Sequence, residues 1–129
     1  VNNILGERDM MRYNAIPAVV YTNPEVSGVG LTEEEAAKKK IDIEVKSLPM
    51  VYAGRFIAEN EGKNGLCKII TGKKYGELLG VHMIGNPSSE MIFGAAMAIE
   101  AGLRVKDLKQ VVFPHPTVSE IVKETLFEF

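Results

Sequence analysis

Residues 65–71 and 77–84 are two apolar, β-rich runs separated only by Gly72-Lys73-Lys74-Tyr75-Gly76. A glycine-bearing loop of that length joins strands as an antiparallel hairpin. The constraint extends outward through the chain. Residues 18–21 and 26–31 are a second pair of strand candidates, joined through the turn residues Asn23-Pro24-Glu25. Ile41-Asp42-Ile43-Glu44-Val45-Lys46 alternates apolar and charged residues, the pattern of a strand with one face inward and one in water, and Pro49 ends it. Strands that follow one another through turns predict an α+β domain: a mainly antiparallel sheet of about five strands with helices packed on it.

The helices announce themselves by their caps. Thr32-Glu33-Glu34-Glu35 has the spacing of a capping box and opens a short helix to about Lys40, with acids first and lysines last, as the helix dipole prefers. Just upstream, Gly28-Val29-Gly30 has the look of a dinucleotide-binding loop. The third glycine of that fingerprint would fall on Glu33, and three glutamates at a helix start repel a pyrophosphate. These glycines therefore predict a bulge or a close backbone approach. Residues 50–60 fit no single pattern, and Arg55 within them reads as a surface residue with a packed stem. Residues 88–101 predict a helix closed by Gly102. That helix is apolar all round, so it needs cover on more than one side. A chain of 129 residues has little to cover it twice, and a second chain or another part of the same chain is the expected cover. Residues 105–109 predict a short helical turn, and 111–113 an extended run.

Composition removes several function classes. The net charge is −2 with both signs scattered along the chain, so no nucleic-acid footprint is present. The longest apolar run, residues 92–99, is too short to cross a membrane. A single cysteine, Cys67, excludes an internal disulfide and a CxxC zinc site, and its place in a strand predicts a buried, inert thiol. His82, mid-strand, is read as structural. The chain begins with Val1, and Asn2-Asn3-Ile4-Leu5-Gly6 looks like a helix end closed by glycine. Residues 1–129 are thus expected to form one domain, with 1–12 a leader from a preceding domain of a longer polypeptide.

The chemistry concentrates near the C-terminus, in Pro114-His115-Pro116-Thr117-Val118-Ser119-Glu120. Each proline biases the residue before it towards extended backbone, which places the imidazole of His115 on a stiff corner. A helix follows, with Val118, Ile121, Val122, Leu126 and Phe129 on one face. Glu120, in its first turn, can reach back to the ring. A positioned histidine with a carboxylate behind it is the minimum equipment for general acid–base work near neutral pH. The same residues also spell a structural motif: Thr117 and Glu120 form a capping box, in which His115 is only a loop residue. A carboxylate has two oxygens and can serve both an amide and an imidazole.

Several stretches taken together resemble the C-terminal interface (dimerisation) domain of the flavoprotein disulfide reductases, and most of all their dihydrolipoyl dehydrogenase branch. They are Asn3-Ile4-Leu5-Gly6, Tyr13-Asn14-Ala15-Ile16-Pro17, Val20-Tyr21-Thr22-Asn23-Pro24-Glu25, Val29-Gly30-Leu31-Thr32-Glu33 and His115-Pro116-Thr117-Val118-Ser119-Glu120. The resemblance implies a homodimer in which His115 is the acid/base for a dithiol substrate and Glu120 orients it, acting on the partner subunit's disulfide. It implies that the backbone of His115 and Pro116 lies near the partner's flavin, through a peptide bond that can be cis. It implies electron passage through FAD to NAD in the full-length enzyme, with a dihydrolipoyl-bearing acyltransferase of a 2-oxo acid dehydrogenase complex as partner, in the cytoplasm or a mitochondrial matrix. The flavin- and nucleotide-binding domains and the cysteine pair of the active disulfide are absent from these 129 residues, so the fragment itself is expected to bind neither cofactor and to be inactive. The same domain of a glutathione-reductase-like enzyme, and a non-catalytic dimerisation or docking module, are the alternatives.

Overall fold

A computed structural model describes residues 1–62 and 64–129. Five strands, β1 (Ala18–Val20), β2 (Val26–Gly30), β3 (Ile43–Pro49), β4 (Leu66–Gly72) and β5 (Leu78–Ile84), form one sheet in the order β1-β2-β5-β4-β3. Every neighbouring pair is antiparallel. The β4–β5 hairpin is central, with Ile69 opposite Val81 and Cys67 opposite Met83, and a register shift at Ile70/Thr71. Its central place explains the apolar run, broken only by Lys68: Cys67, Ile69, Ile70 and Thr71 are all buried. Strand β3 lies at the edge; its alternation shows in half-buried Ile43 and Val45 about exposed Glu44 and breaks at Lys46, which is half-buried too. It starts later than the alternation predicts. Lys40 takes a left-handed φ of 54°, and the Ile41 amide donates to the Ala36 carbonyl at 2.9 Å, so Ile41 belongs to the closing turn of the preceding helix.

The paired glycines are used for close approach. A Cβ on Gly30 (φ +78°) would lie 2.1 Å from the Leu79 carbonyl, and one on Gly80 would lie 2.1 Å from the Leu31 carbonyl. Across the same strand pair, Gly28 leaves room for the ring of His82, whose Nε2 lies 2.9 Å from the Leu31 carbonyl oxygen. The Gly28-Val29-Gly30 segment is thus sheet, and its missing side chains are filled by protein.

Helix α1 (Glu33–Lys38) carries both arms of the predicted capping box: the Glu35 amide donates to Thr32 Oγ1, and the Thr32 amide donates to Glu35 Oε2. The ambiguous stretch resolves into a 3₁₀ turn (Met50–Tyr52) and α2 (Gly54–Glu59), pinned by buried Met50, Ala53 and Phe56. Helix α3 (Ser88–Glu100) packs on β2 and β5, and α5 (Glu120–Phe127) packs on β3 and β4, after the short α4 (Val105–Leu108). Ile92, Ala95, Ile99, Ile121 and Leu126 join Ile69, Leu78 and Val81 in one core. Ser88 begins α3 where the sequence predicts, and Ala101 with Gly102 (φ +64°) closes it. The opposite side of α3 is bare: Phe93 is 66% exposed and Met97 56%. Cys67 is fully buried, and burial pushes its thiol up to about 12. Residues 1–12 are exposed and hold a single turn that ends at Gly6 (φ +88°).

Candidate active site

Residues 109–119 run from α4 to α5 and carry the histidine corner. The His115–Pro116 peptide bond is cis. The helix begins at Glu120, later than the capping-box reading places it, and Ser119 at its N-cap makes no side-chain cap bond. Only one arm of the expected box forms: the Thr117 amide donates to Glu120 Oε2 at 3.0 Å. The hydroxyl of Thr117 is turned the other way, donating to the Pro114 carbonyl at 2.8 Å and meeting Ser119 Oγ at 3.1 Å. Thr117 thus laces the corner to itself rather than capping the helix. Behind it, Val118 and Ile121 are buried and anchor the corner to the core.

Glu120 uses both oxygens. Oε2 takes the Thr117 amide, and Oε1 lies 2.8 Å from His115 Nδ1. The Thr117 amide, and then the imidazole, hold the Glu120 carboxyl below its ordinary value, so it is ionised at neutral pH. An ionised carboxylate only accepts hydrogen bonds, so Nδ1 must be the donor. That assigns the tautomer: in the neutral ring Nε2 carries the free lone pair. The two side chains differ in access, His115 being 79% exposed and Glu120 12%. The ring is therefore oriented from below and open above. This is the arrangement of a base whose proton-accepting atom is presented outward while its other nitrogen is fixed.

Beside the corner lies an open hollow of about 530 Å³, walled by Pro116, Thr117, Val118 and Ser119 on one side and by Arg55, Glu59, Glu90 and Met91 on the other. Arg55 pairs with Glu59 across one helical turn. Sequence reasoning left Arg55 as an unplaced surface residue. Its charge pattern with Glu59 at i, i+4 was the signal for a helix there. Nothing local tied that helix to the histidine, because the link is tertiary. His82 and Cys67 lie in the sheet and are not brought to the site. Among the described residues no cluster of His, Cys, Asp and Glu could hold a metal ion. Among the described residues no helix is long and apolar enough to cross a membrane.

Comparison with known proteins agrees with this architecture. A family profile described as the pyridine nucleotide-disulphide oxidoreductase dimerisation domain matches residues 16–126. A dihydrolipoyl dehydrogenase of Mycoplasma genitalium is 40% identical over 135 residues, covering 100% of this chain and 29% of that protein. One from Thermus scotoductus is 42% identical over 122 residues, covering 95% of this chain and 26% of that protein. Among solved structures, the HOCl-induced flavoprotein disulfide reductase RclA from Escherichia coli superposes with a TM-score of 0.86 at 32% identity, over 98% of this chain and 29% of its own. The chain spans less than a third of the length of these relatives. A sheet of this order, the histidine corner at its C-terminal end and the match over residues 16–126 together show that the chain belongs to the dimerisation-domain family of the pyridine nucleotide-disulphide oxidoreductases.

Proposed function

We propose that this domain serves a dihydrolipoyl dehydrogenase and supplies His115 as the acid/base, with Glu120 as its positioning residue. The observation that carries the reading is the ring itself: Nδ1 tied to an ionised carboxylate at 2.8 Å, Nε2 open on an exposed corner. Nε2 takes the proton of one thiol of a dithiol substrate, and the imidazolium so formed lies against the Glu120 carboxylate. The resulting thiolate attacks a sulfur of a disulfide contributed by another part of the assembly, forming a mixed disulfide and releasing a thiolate. The second substrate thiol resolves that mixed disulfide, and the substrate leaves oxidised. FAD, and NAD after it, would accept the electrons then stored in the enzyme dithiol. The described residues offer these cofactors no phosphate cradle at the one candidate motif, since Gly28 and Gly30 lie in β2 against His82 and the Leu79 carbonyl. In this reading both cofactors are held elsewhere in the assembly.

The bare face of α3, with Phe93 and Met97, is the side on which a second copy completes a homodimer and brings His115 to its partner's disulfide. The likeness to dihydrolipoyl dehydrogenases supports a dihydrolipoyl group as the dithiol. In this reading an acyltransferase of a 2-oxo acid dehydrogenase complex carries it, in the cytoplasm or the mitochondrial matrix. The test is His115→Gln in the full-length protein. Flavin content should be unchanged while dihydrolipoamide turnover falls by about two to four orders of magnitude. Turnover within a few-fold of the parent would remove the acid/base role.

A further inference from the structure

We propose that the Thr117 hydroxyl is a further positioning group for the acid/base: it clamps the peptide that leads into His115, so that the ring and the Glu120 carboxylate stay in register. This rests on the reading of His115 as the base and extends it by one residue. The corner has little else to hold it. Pro114 and Pro116 have no amide proton. Among the described residues, none of 112–119 donates its amide to another backbone group, whereas Val111 and Ile121, on either side, each do so at 3.1 Å. His115 is exposed, so packing does not fix its ring either. The shape of the corner is left to side-chain bonds.

Those bonds converge on Thr117, which is half-buried beside buried Val118. Its hydroxyl donates to the Pro114 carbonyl at 2.8 Å, and that carbonyl belongs to the peptide unit whose nitrogen is that of His115. Its amide donates to Glu120 Oε2 at 3.0 Å, while the other oxygen of the same carboxylate lies 2.8 Å from His115 Nδ1. Thr117 is thus bonded both to the backbone that carries the imidazole and to the carboxylate that orients it. Ser119 supports the hydroxyl. A hydroxyl has one proton, and that of Thr117 is used on Pro114, so Ser119 Oγ, 3.1 Å away, must donate to Thr117 Oγ1. Bonds in such a chain strengthen one another. The two functions of Thr117 separate by chemistry: any residue but proline keeps the amide, and only serine or threonine keeps a hydroxyl at this place.

Thr117→Val removes the hydroxyl and keeps the branched shape and the amide. Thr117→Ser returns the hydroxyl without the methyl group. In the full-length protein, Thr117→Val should lower kcat for dihydrolipoamide about tenfold, with KM within twofold of the parent and flavin content unchanged. Thr117→Ser should recover most of that loss. Ring-nitrogen shifts of His115, assigned by their disappearance in His115→Gln, give a readout that a general loss of stability does not move. The parent should carry its proton on Nδ1, and Thr117→Val should shift the ring towards the Nε2–H form that a free imidazole prefers. A Thr117→Val ring with the parent's tautomer, or a Thr117→Ser variant as impaired as Thr117→Val, would overturn the clamp. So would a Thr117→Val kcat within twofold of the parent when His115→Gln has lost its turnover. The reading of His115 fails separately, by undiminished turnover in His115→Gln, and the tautomer decides on the clamp in either case.

Discussion

Glu120 divides its two oxygens between an amide and a ring, and this ties the orientation of the imidazole to the backbone. The consequence is measurable by pH. Its carboxyl is held below the ordinary value by the Thr117 amide first and the imidazole second. A native carboxyl lowered in this way binds fewer protons than the unfolded one. Its contribution to stability is fully present above the unfolded value, about 4.3, and is lost as pH falls through the lower folded value. The Thr117 amide resonance should therefore titrate with a midpoint below about 4.3, and a midpoint at or above it would contradict the double hydrogen bond. Much of this site was legible in the sequence. Two prolines stiffen the corner, and a glutamate five residues on is within reach of the ring. The hydroxyl of Thr117 was not legible. The Thr-x-x-Glu spacing predicts two arms of a cap, and only the fold shows that the Pro114 carbonyl captures one of them. Arg55 was missed for the same reason, since its nearness to the corner comes from packing between distant segments.

At the scale of elements, the β2–β5 pair is held at a spacing that only glycine permits. Gly80 has no room for a methyl group, because its Cβ would meet the Leu31 carbonyl at 2.1 Å, a backbone atom that cannot swing aside. Gly80→Ala should lower stability by about 2 kcal/mol or more, read as a shift of the urea midpoint. A midpoint unchanged from the parent would mean that the strands can part without cost. Gly54→Ala is the control, since its Cβ meets nothing within 4 Å and its helical position favours alanine. The strands themselves were legible as runs and turns, and the loop from 72 to 76 marked the central hairpin before any pairing was known. Strand order was not, because β2 returns to pair with β5 rather than with the strand that follows it in the chain. Alternation also misplaced the start of β3, because local backbone bonding to Ala36 outcompeted sheet pairing for Ile41.

For the whole molecule, the all-round apolar character of α3 forecast a helix covered on more than one side, and within this chain it is covered on one. Phe93 and Met97 leave a hydrophobic face in water that a second copy would bury. Phe93→Glu should shift the protein towards monomer in sedimentation at matched concentration while its circular dichroism stays the same. An unchanged sedimentation coefficient would locate self-association elsewhere. Beneath α5, the only thiol of the chain gives a clock for the opening of the fold. Cys67 lies on a central strand with its proton held up to about 12, near Thr125 of α5, so an aromatic disulfide reagent cannot attack it while α5 is seated. The rate of colour release should then be set by the fraction of molecules in which the core is open. Truncation at fully buried Ile121, expected to cost about 2–5 kcal/mol, should make that colour appear sooner by the fraction of molecules it leaves open.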